Sequence, residues 1–149
     1  YNMIMSNRSI LDERLCFTVS ETHRLFNKFY QKALDEFQLT YLQYVILLVL
    51  WEEDHRHMKE LSYALSLNSN TLTPVLKRME NRGWIVREKP RDDKRQLIIH
   101  LSNKGIESQD AVVNAVQSCG YFFSEISPES YQKTVSALSS LNQVIKSHL

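Results

Sequence analysis

The stretch that decides the fold runs from Asn68 to Ser102 and reads NSNTLTPVLKRMENRGWIVREKPRDDKRQLIIHLS. It begins with small hydroxyl and amide residues, passes through a Lys-Arg pair and reaches Gly83, after which the apolar spacing changes from helical to alternating. Two β-type runs, WIVREK and QLIIHLS, then flank the segment PRDDKR, whose proline and aspartates favour a turn. This order predicts a helix followed by a hairpin with a charged tip.

A helix-turn-helix is predicted immediately before the hairpin. The segment MKELSYALSL, residues 58–67, reads as a short helix, and residues 71–82 read as the next one, with its start capped within residues 68–70. Gly83 is expected to end that helix in the C′ position, where glycine is common. Such an arrangement presents its second helix to a DNA major groove, which is about 12 Å wide.

The second helix and the hairpin supply the candidate DNA contacts. Small polar residues at the helix start allow its N–H groups to approach phosphate oxygens, and longer basic side chains one to two turns later reach base edges or the flanking backbone. The hairpin tip adds cations suited to phosphates or to a narrow minor groove, and Asp93 is expected to orient Arg95 by a charge-assisted hydrogen bond. The predicted DNA-binding residues are Ser69, Asn70, Thr71, Thr73, Pro74, Lys77, Arg78, Arg91, Lys94 and Arg95.

Positive charge is concentrated in this region. The chain has 149 residues and a formal net charge of +1, but residues 77–95 hold eight Lys or Arg and four Asp or Glu, a local balance of +4. The rest of the chain, with ten basic and thirteen acidic residues, carries −3. A basic element on a neutral body is typical of nucleic-acid-binding proteins.

Helices dominate the rest of the sequence. Apolar residues at three- and four-residue intervals predict one long helix over residues 11–37, and a nearly all-apolar helix capped by Thr40 is expected at the centre of the core. Residues 103–126 return to a helical pattern, and Ser127 with Pro128 begins a last helix whose apolar stripe is typical of packing against another helix. The expected fold class is mainly α with a small β-hairpin. It divides into a winged helix-turn-helix DNA-binding region, residues 40–102, and a long-helix dimerisation region, residues 9–37 and 103–149.

Composition excludes several classes of protein. The longest apolar run, Tyr44 to Trp51, is much shorter than the roughly 20 residues that span a membrane, and no signal peptide is visible, so we expect a cytoplasmic protein without a membrane partner. Two cysteines 103 positions apart are not the disulfide framework of a secreted domain. The pair His55 and His57 has no nearby cysteine, and we expect neither a metal site nor another cofactor.

The sequence resembles the MarR family of dimeric winged-helix transcription regulators. The segments LTYLQYVILLVLWE, MKELSYAL and SNTLTPVLKRMENRGWIVREKPRDDKRQLIIHLSNKG, with the early LCF, are similar to its organic-hydroperoxide-sensing branch, the OhrR and MgrA type. This resemblance covers the chain from about Leu15 to Gly105. It implies a homodimer whose two recognition helices read successive major grooves of a pseudo-palindromic double-stranded DNA operator. Asn70 departs from the glycine that is common in this branch.

The same resemblance assigns roles to both cysteines. In this branch a cysteine at the position of Cys16 reacts with peroxide, and tyrosine hydroxyls hydrogen-bond its thiolate; the matching tyrosines are Tyr30 and Tyr41. Cys119 matches the second cysteine of two-cysteine sensors, which the opposite subunit contributes. The resemblance therefore implies that peroxide oxidises Cys16, that an intersubunit disulfide with Cys119 follows, and that DNA is released.

Other interpretations of these residues stay open at this point. Cys16 is also explained as a small apolar residue on the buried side of its helix, and Cys119 as a packing residue. A ligand-responsive repressor that ignores peroxide would instead use a cavity between aromatic side chains. The candidate aromatic residues are Phe26, Tyr30, Tyr41 and Trp51. A thiol peroxidase is disfavoured, because the sequence offers neither an arginine-assisted peroxide pocket nor a Cys-x-x-Cys pair, and no catalytic residue is expected.

Overall fold

The computed structural model describes residues 14–92 and 96–149. The helices are α1 (Leu15–Leu34), α2 (Tyr41–Glu52), α3 (Met58–Leu65), α4 (Ser69–Asn81), α5 (Asn103–Glu107), α6 (Gln109–Cys119) and α7 (Pro128–Lys146). The strands are β1 (Arg56–His57), β2 (Ile85–Glu88) and β3 (Ile98–Leu101), and short 3-10 helices cover Asp35–Phe37 and Tyr121–Glu125. The predicted fold class, mainly α with a small β element, is confirmed. Three predicted site residues, Asp93, Lys94 and Arg95, lie outside the described residues.

Helix α2 forms the centre of the core, as its composition predicted. Ile46, Leu47 and Leu50 are almost completely buried. The helix begins at a capping box in which the Thr40 hydroxyl accepts from the Gln43 N–H at 3.3 Å and the Gln43 side chain accepts from the Thr40 N–H at 3.0 Å. This reciprocal pair satisfies two N–H groups and fixes where the helix starts, so the prediction of Thr40 as N-cap is confirmed.

The wing is a three-stranded antiparallel sheet with the order β1-β3-β2. The predicted hairpin is present, with Ile85 opposite Leu101 and Glu88 opposite Ile98. The third strand, β1, pairs Arg56 with Ile99 on the other side of β3, and sequence reasoning missed it. Two residues are too few to produce an alternating pattern, so only the pairing with β3 reveals this strand.

Helix α4 starts at Ser69, two residues earlier than predicted. The reason is that Asn68 is the N-cap: its side-chain oxygen accepts from the Thr71 N–H at 2.9 Å. Gly83 follows the helix with φ +83°, a conformation that strains any residue with a Cβ. Its predicted role in ending the helix is confirmed, and the turn it makes leads directly into β2.

The first long helix and the segment after the wing are each interrupted. Helix α1 ends at Leu34 and tightens into the 3-10 turn Asp35–Phe37, after which Gln38 has φ +53° and the chain bends into α2. Residues 103–126, predicted as one helical segment, form α5, α6 and a 3-10 turn. The break between α5 and α6 falls at Ser108, which ends one helix and begins the next.

The long helices leave much of their apolar surface uncovered within one chain. Ser127 caps α7 by accepting from the Ser130 N–H at 3.1 Å, and Pro128 occupies the first turn, as predicted. No residue of α7 is buried, and α1 buries only Ala33 and Leu34. The exposed large apolar residues of these two helices include Leu15, Val19, Leu25, Phe26, Val135, Leu138, Val144 and Ile145.

Within the described ranges, no single helix is both long and apolar enough to cross a membrane. Helix α1 with its 3-10 extension and α2 reach the required length and hydropathy only as a pair, and that pair is bent by 70°.

Candidate nucleic-acid interface and thiol sites

Helix α4 has one buried face and one exposed face. Its apolar residues pack into the core; they are Leu72, Val75, Leu76 and Met79. The opposite face carries the predicted DNA-binding residues, all of which are exposed: Ser69, Asn70, Thr71, Thr73, Pro74, Lys77 and Arg78. The helix therefore directs small polar side chains from its first two turns and two cations from its third turn towards solvent.

The small residues at the start of α4 differ in how freely they can bind a ligand. The Thr71 hydroxyl donates to the Asn68 side chain at 3.1 Å, and the Thr73 hydroxyl donates to the Ser69 carbonyl at 2.7 Å. Both hydroxyls can still accept hydrogen bonds. Pro74 has no N–H, so the Asn70 carbonyl receives no helical hydrogen bond from it. The start of α4 thus offers both donors and acceptors to a neighbouring molecule.

The wing extends the exposed basic surface beyond α4. Arg91, which follows β2, is exposed. The predicted contacts at Lys94 and Arg95, and the orienting role of Asp93, fall on residues outside the described ranges. Arg91 lies three residues after the end of β2, and only residues 82–84 separate β2 from α4.

Sequence reasoning missed two contacts that hold α4 in place. Glu80 pairs with Arg87 of β2, with Arg87 Nη2 to Glu80 Oε1 at 3.1 Å. Arg82 Nη1 donates to the Gln38 carbonyl at 2.9 Å, which ties the end of α4 to the corner after α1. Both contacts join residues of different elements, and no local pattern of sequence signals them.

The thiol of Cys16 is exposed near the start of α1. Tyr30, its predicted partner, is 14 residues further along the same helix, which is about 21 Å at 1.5 Å per residue. Tyr30 and Tyr41 lie together, with ring centroids 4.6 Å apart. The structure thus brings the two predicted tyrosines to each other, but one chain does not bring either of them to Cys16.

The surroundings of Tyr30 and Tyr44 favour their protonated hydroxyl groups. Burial raises the pKa of Tyr30 above its ordinary range, and the neighbouring Tyr41, Tyr44 and Tyr131 raise it further. Burial, and then Tyr41, also raises the pKa of Tyr44. A phenol with a raised pKa keeps its proton at neutral pH, so Tyr30 is available as a hydrogen-bond donor.

Cys119 is half-buried at the last position of α6. It lines an open hollow of about 510 Å³ together with Lys32 of α1 and with Asp35 and Glu36 of the 3-10 turn that follows. Lys32, which lines the same hollow, is 16 residues after Cys16 on α1, which is about 24 Å of helix, so the two thiols of one chain lie near opposite ends of that helix. A disulfide, which needs Cα atoms within about 7 Å, cannot join them within this conformation of one chain.

A cavity of about 480 Å³ lies between α1 and α7. Phe26, Tyr30, Tyr41 and Leu138 contribute to its lining. Trp51, which the sequence grouped with these aromatic residues, lies elsewhere: its indole N–H donates to the Gly105 carbonyl at 2.9 Å. The cavity is large enough for a small aromatic molecule.

Two of the three histidines near the wing stack on each other. The His55 ring stacks on His100 with centroids 4.8 Å apart, whereas His57 caps α3. Across residues 14–92 and 96–149, no group of three His, Cys, Asp or Glu side chains is close enough to hold a metal ion.

The fold and the exposed basic surface define the class of this protein. A helix-turn-helix whose second helix presents polar and basic side chains, followed by an antiparallel wing, is the architecture of a winged-helix DNA-binding protein. Long helices precede and follow this unit in the observed element order.

Comparison with known proteins identifies the family. Residues 28–112 match the family Transcriptional regulator SarA/Rot. The chain is 38% identical over 104 residues to the organic hydroperoxide resistance transcriptional regulator of Bacillus subtilis strain 168, an alignment covering 70% of this chain and 71% of that protein. The chain belongs to the MarR-type winged-helix transcription regulators, a family of DNA-binding regulators and not of enzymes.

Two further relatives refine this placement. Reduced AbfR of Staphylococcus epidermidis, solved bound to DNA, is 43% identical with a TM-score of 0.79, covering 91% of this chain and 92% of that one. AbfR has also been solved bound to DNA in an overoxidised form and, separately, in a disulfide form. TtmR of Methylorubrum extorquens strain PA1 is 46% identical over 95 residues, 64% of this chain, but the chain spans only 49% of TtmR.

Proposed function

We propose that this chain forms a cytoplasmic homodimer that binds a pseudo-palindromic DNA operator and represses transcription until peroxide oxidises it. The DNA-binding part of the proposal is supported by the exposed residues of α4 and by Arg91. It is also supported by the relative AbfR, which has been solved bound to DNA in two forms. Two α4 helices would enter successive major grooves, whose centres are about 34–36 Å apart.

The uncovered apolar surface of α1 and α7 supports the homodimer. Leu15 and Leu25 of α1 are 59% and 58% exposed, and Val144 of α7 is 59% exposed. Full burial of an exposed side chain of this size is worth about 1.5–3 kcal/mol, so covering the part that is still exposed would contribute roughly 1–2 kcal/mol for each. A second copy of this chain is the natural occupant, since dimers are built from these helices in the resembling family.

The positions of the thiols support a redox switch that works between subunits. In one chain Cys16 and Cys119 lie near opposite ends of α1, so a disulfide between them requires Cys119 of the partner subunit. The same reasoning applies to the thiolate: its hydrogen-bond donors would be Tyr30 of the partner subunit and Tyr41 of the partner subunit. The separation of Cys16 from Cys119 within one chain is the single observation on which the proposed intersubunit arrangement rests.

The proposed chemistry has two steps. The Cys16 thiolate attacks one oxygen of a hydroperoxide, the O–O bond breaks, and the leaving alkoxide takes up a proton to become an alcohol, which leaves a sulfenic acid on Cys16. The thiol of Cys119 of the partner subunit then attacks that sulfur, and the hydroxyl leaves as water with the thiol proton. The peroxide is reduced by two electrons, and two thiols are oxidised to one disulfide.

The disulfide is the form expected to release DNA. AbfR has been solved on DNA when reduced and also when overoxidised, so overoxidation is compatible with DNA binding in that relative. A disulfide differs because it must pull two helices to within bonding distance. Such a movement would shift the two α4 helices out of register with successive grooves.

Mixed dimers test the intersubunit arrangement. Cys16→Ser and Cys119→Ser chains, one of them carrying an affinity tag, are mixed, allowed to exchange subunits and treated with an organic hydroperoxide. We expect each variant alone to stay monomeric on a non-reducing gel and the mixture to give a covalent dimer containing one tagged chain. A covalent dimer from either variant alone, or none from the mixture while the wild type forms one, would contradict the arrangement.

A ligand-responsive repressor is the second candidate. The cavity of about 480 Å³ lined by Phe26, Tyr30 and Tyr41 favours a small aromatic effector. The two candidates differ in their response to Cys16→Ser: a ligand-responsive protein would still release DNA when its effector is added, and hydroperoxide would have no effect even on the wild type.

A further inference from the structure

We propose that Glu80 is a positioning residue that fixes the angle between the recognition helix α4 and the wing, and so determines whether the wing cation Arg91 reaches DNA. This inference rests on the proposed contact between the wing and DNA. It concerns a residue that is acidic and therefore would not itself be expected to face phosphates.

The contact between Glu80 and Arg87 is made by three hydrogen bonds. Glu80 Oε2 accepts from the Arg87 backbone N–H at 2.7 Å, and Glu80 Oε1 accepts from Arg87 Nε at 3.2 Å and from Arg87 Nη2 at 3.1 Å. Both oxygens of the carboxylate are therefore used, one for the backbone of β2 and one for the guanidinium. Both side chains are also partly buried, with Arg87 23% and Glu80 33% exposed, so water competes less for this pair than for a surface ion pair.

The contact spans the connection between α4 and β2, at which Ser102 also donates to the Gly83 carbonyl and Lys104 to the Arg82 carbonyl. Helix α4 ends at Asn81 and β2 begins at Ile85, so three residues form the connection, and one of them is Gly83 with φ +83°. Glu80 lies on the helix side of this connection and Arg87 on the strand side. The hydrogen bond to the Arg87 N–H holds the strand backbone itself, and it therefore restricts rotation of β2 about the Gly83 turn.

A role of Glu80 in neutralising charge and a role in positioning the wing predict different effects of substitutions on DNA binding. If Glu80 merely neutralised Arg87, Glu80→Ala would leave an additional free cation near DNA and tighten binding, while Arg87→Ala would weaken it. If the pair positions the wing, both substitutions remove the same restraint. Both should then lower the contribution of Arg91 to DNA binding, whatever they do to the net charge.

A double-mutant cycle separates these possibilities. Dissociation constants are measured by fluorescence anisotropy over a range of salt concentrations, with a duplex that the wild-type protein has enriched from a random pool. In the wild type, Arg91→Ala should weaken binding about five-fold and lower the slope of log affinity against log salt by about 0.9. In Glu80→Ala and in Arg87→Ala, adding Arg91→Ala should change affinity by less than about two-fold and leave the slope unchanged.

A control variant accounts for the change in net charge. Glu129→Ala breaks the exposed ion pair between Glu129 and Lys133 on α7, where the two charged atoms are 2.8 Å apart, and it removes one negative charge as Glu80→Ala does. In this background Arg91→Ala should keep its full effect. If Glu80→Ala lowers the melting temperature too far for binding measurements, Glu80→Gln retains an acceptor for the Arg87 N–H and gives an intermediate loss.

Two results would overturn the proposal. One is a full effect of Arg91→Ala in both the Glu80→Ala and Arg87→Ala backgrounds, and the other is an absence of any effect of Arg91→Ala in the wild type, since no wing contact would then exist to be positioned. Failure of the wild-type protein to enrich or bind any duplex is a separate outcome, because it would count against DNA binding itself.

Discussion

The guanidinium of Arg82 donates a hydrogen bond to the backbone carbonyl of Gln38 at 2.9 Å, across 44 positions of sequence. This contact joins the end of the recognition helix to the corner where α1 gives way to α2. The corner follows directly after Asp35 and Glu36, which share a hollow with Cys119. A displacement of the α1 end at the thiol site would therefore act on the end of α4 through Arg82.

Arg82→Ala should reduce the response to oxidation more than it reduces DNA binding. The reduced variant should bind DNA within a few-fold of the wild type, because one exposed hydrogen bond contributes only about 1 kcal/mol. The ratio of affinities before and after hydroperoxide treatment should become smaller. Anisotropy titrations of both forms measure this ratio, and an unchanged ratio would show that Arg82 does not couple the sites.

The two cysteine variants should fail at different steps. Cys16→Ser should bind DNA and retain binding in the presence of hydroperoxide, since no thiolate is left at the reactive position. Cys119→Ser should form a sulfenic acid, detected by mass spectrometry after trapping with a dimedone reagent, but no covalent dimer. A covalent dimer formed by Cys119→Ser would remove that residue from the mechanism.

Gly105→Ala should destabilise the DNA-binding lobe strongly. A Cβ at this position would collide with the carbonyl oxygen of Trp84 and approach Leu101 Cδ2 to 3.1 Å. Gly105 also accepts the Trp51 indole hydrogen bond, so the backbone has little freedom to move away. We expect a loss of about 2–3 kcal/mol in the free energy of unfolding, measured with urea.

Gly83→Ala provides the matched comparison for this prediction. Its Cβ would meet only Lys104 Cδ, at 3.9 Å, and the cost comes from φ +83° alone. That cost is expected to be about 1 kcal/mol. Equal losses for the two variants, or a larger loss for Gly83→Ala, would contradict the packing argument at Gly105.

Stability should fall at alkaline pH, and Tyr30 should account for part of the fall. Below pH 10 the phenol of Tyr30 is protonated in both the folded and the unfolded chain, so its ionisation does not change the stability. Because the pKa of Tyr30 is raised in the folded chain, mainly by burial, the unfolded chain loses that proton first as the pH rises. The free energy of unfolding then decreases until the pH passes the pKa of the folded state.

Tyr30→Phe should therefore show a smaller decrease in stability between neutral and alkaline pH than the wild type. Tyr63→Phe is the control, since its ring is 90% exposed and its removal should leave the decrease unchanged. Urea unfolding at several pH values gives both curves. Identical profiles for the two variants would mean that the environment of Tyr30 does not favour its protonated form.

The elements that sequence predicts well are those with local signals. Thr40 and Ser127 are N-caps with short polar side chains, and Gly83 adopts the positive φ that its position after a helix implied. The predicted start of α4 is two residues late, because the consecutive residues Asn68, Ser69 and Asn70 are all good caps. Only the hydrogen bond from the Thr71 N–H identifies Asn68.

Contacts between residues that are far apart in the sequence could not be predicted from it. The strand Arg56–His57 exists only because β3 pairs with it. The candidate DNA-binding side chains were predictable from residue type and spacing, and those that the structure describes are exposed. By contrast, the hydrogen bonds of Glu80 and Arg82 depend on how elements pack. The separation of Cys16 from Tyr30 within one chain is different, because it already follows from the predicted helix that contains both residues.

The central claim is that a reversible disulfide controls DNA binding, and one titration tests it most directly. The reduced protein is first bound to saturation on a labelled duplex that it has enriched. One equivalent of an organic hydroperoxide per Cys16 is then added, and a thiol reductant is added afterwards. Anisotropy is recorded throughout, and samples are taken for non-reducing gels. The account predicts loss of binding in step with a covalent dimer, and recovery of binding as the reductant removes that dimer. Binding that persists while the covalent dimer accumulates would contradict it.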